Sequence, residues 1–82
     1  MALGSEQIKD TYEEVKGKNY LKEKCQYALF SLACEYCKGE EIKFFNGFCE
    51  CLEKDGRKNE ANAIRKYVEE HKNEINNNQF LK

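Results

Sequence analysis

The sequence predicts a compact all-α domain, four helices arranged around a central antiparallel helical hairpin, and three observations carry that expectation. Proline is absent from all 82 residues. The glycines mostly stand near the ends of apolar-periodic stretches, where helices stop, and both residue types are costly inside a helix. Within the stretches, apolar residues recur in steps of three and four, the period of a helix face.

The first helix is expected from about Ser5 to Lys16, with Ser5 as N-cap and Ile8, Tyr12 and Val15 on one face. Gly17 marks its end. Its stripe is narrow, so it covers a core rather than builds one. The second is expected from Asn19 to Lys38. Leu21, Cys25, Ala28, Leu29, Leu32, Ala33, Tyr36 and Cys37 form one stripe, and Tyr20, Tyr27, Phe30 and Cys34 form another beside it. Little between Cys25 and Cys37 is polar, so both flanks call for cover. Gly39 supplies the left-handed residue that ends such a helix.

The third helix is expected from Glu40 to Lys54. Glu40 and Glu41 suit the positive end of the helix dipole. Ile42, Phe45, Cys49 and Leu52 make the main stripe, with Phe44, Phe48 and Cys51 alongside. Gly47 in mid-helix costs about 1 kcal/mol relative to alanine. A close helix crossing or a local break would each account for it. Asp55-Gly56 makes the next turn, and Asn59 is a plausible N-cap for a fourth helix carrying Ala61, Ile64, Val68, His71 and Ile75. Tight turns then join the second and third helices into the hairpin, with the fourth packed against it.

Residues 6–75 thus read as one helical domain. Residues 1–5 form an N-terminal tail whose Gly-Ser is also what a cloning remnant leaves. Residues 76–82 form a C-terminal tail, frayed by Asn76, Asn77 and Asn78, with Phe80 and Leu81 beyond.

The chain carries 14 Lys and Arg against 15 Asp and Glu, a formal net charge of -1. That near-neutrality argues against a dedicated nucleic-acid or membrane-surface binder, which needs an excess of one sign. No apolar run approaches the roughly 18 residues of a membrane span, and no signal peptide is seen. Five cysteines, an odd number without a secretion signal, point to a reducing compartment, the cytoplasm or the nucleus.

Those cysteines are the first candidates for chemistry. Cys34-x-x-Cys37 and Cys49-x-Cys51 are a conceivable zinc set of Cys34, Cys37, Cys49 and Cys51, since structural zinc takes four thiolates at about 2.3 Å. The second pair, two apart on a helix, points its side chains roughly 200° from one another, so a closed site needs the helix to break. Buried thiols acting as small apolar groups are the commoner outcome, and no cofactor is expected. If the hairpin turns at Gly39, Cys25 and Cys51 come near one another, and one disulfide between them is the conceivable bridge. Cys34-Glu35-Tyr36-Cys37 resembles a redox dithiol, but those motifs work at a helix N-terminus, which lowers the thiol pKa.

His71, the single histidine, falls on the inner face of the fourth helix. A ring packed half-buried is expected there rather than a general base for Cys49 or Cys51. The segment 54–59 lacks the carboxylates of a calcium loop and the glycines of a phosphate loop. With Arg65 and Lys66 it makes a small basic patch over residues 54–66, the basis of a weak nucleic-acid-binding alternative. No catalytic residues are assigned, and an enzyme is not expected.

The aromatics are the most informative feature. Five Tyr and five Phe concentrate between Tyr20 and Phe48. Two broad apolar helices flanked by two narrow ones leave more apolar face than cover. Some of Tyr20, Tyr27, Phe30, Phe44 and Phe48 are therefore expected to stay exposed as a partner-binding patch. The sequence reading is an intracellular protein–protein interaction module, binding a partner helix or a second copy of itself. The alternative is a cysteine-dependent zinc or redox domain.

Phe44-Phe45-Asn46-Gly47-Phe48, followed by Leu52, Gly56 and Ala63-Ile64, resembles the fifth helix and following turn of caspase-recruitment domains. Those domains have six helices, and the segment before Phe44 reads as one short and one long helix where four are needed. The resemblance implies homotypic signalling assembly, which is again protein binding.

Overall fold

The structure is a computed structural model that describes residues 3–73. The described residues form four helices and no strand: α1 (Ser5–Val15), α2 (Glu23–Tyr36), α3 (Glu41–Lys54) and α4 (Lys58–Glu70). The expected positions of Ile75, Phe80 and Leu81 lie outside the described residues.

Gly4, not Ser5, is the N-cap of α1: its backbone is extended, and its N–H donates to Gln7 Oε1 at 3.1 Å. Ile8 and Tyr12 are buried from this helix, as its spacing predicts, and Val15 packs at the edge. The second helix begins at Glu23 rather than Asn19. Asn19 Oδ1 accepts the Leu21 N–H at 3.0 Å, a local turn that competes with helix, and Lys22 N–H closes on Asn19 O at 3.1 Å. This turn swings Tyr20 inward, where its hydroxyl donates to Val15 O at 2.8 Å.

At the far end, Cys37 caps α2 by donating its N–H to Ala33 O at 2.8 Å, and Gly39 takes the left-handed turn at φ 84°. α3 ends in a Schellman motif. The Gly56 N–H reaches Glu53 O at 3.0 Å and the Arg57 N–H reaches Leu52 O at 2.8 Å, with Gly56 at φ 76°. α4 starts directly after that motif, so its N-cap is Arg57 and not Asn59.

α3 is the organising element. It packs most extensively on α4 and next on α1, while α2 lies across both α3 and α4. The α2–α3 hairpin expected as the centre of the fold is not confirmed. Gly47 explains part of the arrangement. A Cβ at that position would stand 2.9 Å from both Ile8 Cδ1 and Ile8 Cγ2, so α1 crosses α3 where α3 has no side chain. The helix stays unbroken there; close crossing is the reason for the glycine.

The core is a train of rings. Phe48 meets Tyr12 edge-on at 5.1 Å and Tyr20 at 5.4 Å, and it continues through Phe44 to Phe45. Phe45 stacks on Phe30, which meets Tyr67 edge-on at 5.5 Å. Edge-to-face pairs of this kind add roughly 0.5–1.5 kcal/mol each beyond their area. The Cα radius of gyration is 11.8 Å, matching a folded chain of about this length.

Candidate interaction surface

Four of the five aromatics expected at a partner surface are in the core. Tyr20, Phe30, Phe44 and Phe48 are each at most 1% exposed. Two features unseen in the pattern bury them: the turn before α2 folds Tyr20 inward, and α4 and α1 together enclose the face of α3. Tyr27 alone remains outside, 57% exposed. Two further large apolar side chains join it, Leu21 at 56% and Tyr36 at 74%. All three belong to α2 or to the turn leading into it. Every other aromatic among the described residues is buried.

On a different face, α3 and α4 leave a groove of about 290 Å³. Ile42, Phe45 and Val68 form its apolar floor, and Arg65, Glu69 and Lys72 stand around the rim. Arg65 is shared with Glu53 at 2.6 Å, an ion pair that holds the Glu53 carboxyl below its usual range. Lys72 is exposed and makes no ion pair among the described residues.

The cysteines do not assemble a site. Among the described residues no group of three His, Cys, Asp or Glu side chains is arranged to hold a metal ion, and Cys34, Cys37, Cys49 and Cys51 are not brought together as one cluster. Cys49 is buried and its thiol donates to Ala61 O at 3.5 Å. Cys51 opens instead into the cleft beside Ile8 and Lys9, between α1 and α3. Two residues apart on one helix, they face different neighbours, as helix geometry requires. Cys25 and Cys51 are both free thiols in this structure, which does not form the bridge that the sequence left possible between them. The pairing depended on the α2–α3 hairpin, and α3 turns its Cys51 face to α1.

Burial pushes the Cys49 thiol up to about 11 and raises Cys51 as well. Burial also raises Cys37, with the Glu41 and Glu40 carboxylates adding to the effect. These thiols stay protonated near neutral pH, the state least suited to nucleophilic attack or metal binding.

His71 sits half-buried at the C-cap of α4. Its ring stacks on Tyr67 at 4.1 Å, and Nδ1 donates to Tyr67 O at 2.8 Å. It is packed by its ring, as expected.

Much of the 54–66 basic segment is committed internally. Arg57 is clasped by Glu60, and its guanidinium also donates to Lys16 O at 2.8 Å, Lys18 O at 2.9 Å and the Tyr12 hydroxyl at 3.3 Å. Glu60 Oε1 accepts the Tyr20 N–H at 2.9 Å. Tyr12 in turn donates to Asp55 Oδ2 at 2.5 Å. Arg57 therefore serves the fold, Arg65 is held in a surface ion pair with Glu53, and Lys54, Lys58 and Lys66 are left exposed.

Sequence reasoning missed the groove, whose walls come from helices distant in sequence, and it missed the Arg57–Glu60 clasp. The spacing of three between those two residues was visible, but the carbonyls of Lys16 and Lys18 carry no sequence signal. Tyr36 was legible as apolar and helical, yet placed on the buried stripe. No helix among the described residues is long and apolar enough to cross a membrane. Comparison of the chain with protein-family models, with curated proteins and with solved structures finds no match.

Proposed function

We propose that this domain is a helical protein–protein interaction module that works inside the cell. One observation carries the reading. In a domain that buries its other aromatics, Leu21, Tyr27 and Tyr36 stand exposed along one helix and its leading turn. Tyrosine is enriched at binding hot spots because it offers a large apolar body with a polar tip. The α3–α4 groove adds an apolar recess with charged edges, the general anatomy of a docking site. Protonated thiols without a shared ligand geometry support this reading over a zinc or redox domain. Free Cys25, Cys37, Cys49 and Cys51 fit a reducing compartment.

The test is affinity capture from a lysate of the source cells. Wild-type chain is compared with a Tyr27→Ser/Tyr36→Ser double variant and with Lys72→Glu, all matched for helicity by circular dichroism. The expected result is a retained protein that at least one variant loses. Equal retention by all three chains, or none by the wild type together with strict monomericity, overturns the reading.

A further inference from the structure

We propose that the outward face of α2 is a two-fold interface between copies of this chain, with α2 packed antiparallel on α2 of a second copy. The inference rests on the interaction reading above and names its partner and its register.

α2 is buried along one side, through Leu29, Phe30, Ala33 and Cys34. Opposite them Lys24, Ala28, Ser31 and Glu35 follow one another in steps of four, three and four, a single stripe along the helix. Cys25, Tyr27 and Leu32 flank it. Tyr27 and Ala28 are exposed, and Cys25, Ser31 and Leu32 are partly so. From Cys25 through Cys34 the helix carries no charged residue, although 35% of the chain is charged. An uncharged, partly apolar stretch with charges only at its ends has the make-up of an interface centre and its rim.

The end charges select the occupant. Lys24 and Glu35 are both exposed, and neither makes an ion pair among the described residues. They are opposite in sign and stand at opposite ends of the stripe. Two such stripes turned antiparallel about a two-fold axis place Lys24 of each copy beside Glu35 of the other. The same register sets Ala28 of each copy beside Ser31 of the other, two short side chains that let the helices approach. Each charge on the stripe is then answered by its opposite, whereas a parallel pairing would set Lys24 on Lys24 and Glu35 on Glu35. Glu23 does not intrude, since it lines a separate recess with Gln26, Lys66 and Tyr67. Lys38 lies beyond the helix end.

One patch serves both copies, so the contact is isologous and closes at a dimer. α2 has 14 residues and is about 21 Å long. A single helix face of that length buries less than the roughly 800 Å² per partner of a standard interface. The dimer is accordingly weak and reversible, and the charges set its orientation more than its strength.

Sedimentation equilibrium of the full chain tests this, with variants confined to exposed positions and matched for helicity. Wild type should pass from monomer to dimer with rising concentration and go no further. Lys24→Glu and Glu35→Lys each bring like charges together at both ends of the contact and should each weaken self-association about tenfold. Mixed in equal amounts, the two should form a heterodimer, because one stripe is then acidic at both ends and the other basic. Combined in one chain, Lys24→Glu/Glu35→Lys should restore the homodimer. A monomeric wild type overturns the second copy as occupant while leaving the interaction reading to its capture test. Self-association unchanged by either charge variant, or a mixture that does not pair, overturns the α2 contact itself.

Discussion

The Arg57 guanidinium holds the Glu60 carboxylate through two hydrogen bonds of 2.7 Å, Nε to Oε2 and Nη2 to Oε1. The same guanidinium reaches back to two backbone carbonyls that follow α1, and the same carboxylate takes the Tyr20 N–H. One clasp thus fixes the end of the first helix and the turn into the second. Its donors and acceptors are partly shielded from water, which makes each more valuable than a surface pair.

Replacing Glu60 with Gln should therefore destabilise the domain by about 1–3 kcal/mol at neutral pH. The Arg57 hydrogen bonds hold the Glu60 carboxyl below its ordinary 4.5. A depressed folded value means the contribution is present above the unfolded value and is lost as pH falls through the folded one. The wild type should thus lose stability below about pH 4.5 more steeply than Glu60→Gln. Urea midpoints measured from pH 3 to pH 7 check this, and parallel curves would refute it.

Gly47→Ala should destabilise despite alanine's better helix propensity, by about 1–3 kcal/mol, because the new methyl meets two carbons of Ile8 at 2.9 Å. The diagnostic is a reversal of sign. In an Ile8→Ala background the obstruction is gone, and Gly47→Ala should become neutral or stabilising by up to about 1 kcal/mol. A double-mutant cycle by thermal or urea unfolding reads the coupling directly.

Phe48→Ala should cost about 3–5 kcal/mol, since its ring is fully buried among Tyr12, Tyr20 and Phe44. Tyr27→Ala, on an exposed ring, should stay within about 0.5 kcal/mol of wild type. Unfolding curves for the two, taken side by side, separate core from surface aromatics. Similar losses would contradict the burial pattern.

Alkylation with iodoacetamide at pH 8 should mark Cys25, Cys37 and Cys51, which are partly exposed, well before Cys49. Cys49 is buried and its thiol is pushed up to about 11, so both access and thiolate fraction protect it. Peptide mass mapping over time gives the order. Labelling of Cys49 in the first group would show that α3 and α4 separate readily.

The all-α class and four helices were legible because the three- and four-residue spacing states directly which face is apolar. Ile8 and Tyr12 on α1, or Ile64 and Val68 on α4, needed no further information. What the pattern did not reveal was cover. Periodicity says that Phe44 and Phe48 need burying, but not that α1 and α4 supply enough surface to do it. The start of α2 was misjudged for a local reason: the Asn19 side chain competes with the helix for backbone N–H groups. The groove and the Arg57 clasp were illegible because each joins groups from segments distant in the chain.

The clasp also sets an order of assembly. Tyr12 and Asp55 are 43 residues apart, and Arg57 lies 41 residues beyond the carbonyl it holds at Lys16. The Leu3 N–H is likewise fastened to Glu40 Oε2, at the start of α3. Emerging from the ribosome, α1 therefore has no permanent seat until α3, the turn after it and Glu60 have followed. Synthesis must pass Glu60 before α1 can dock, and until then the faces of Ile8 and Tyr12 are open to whatever else the cell presents.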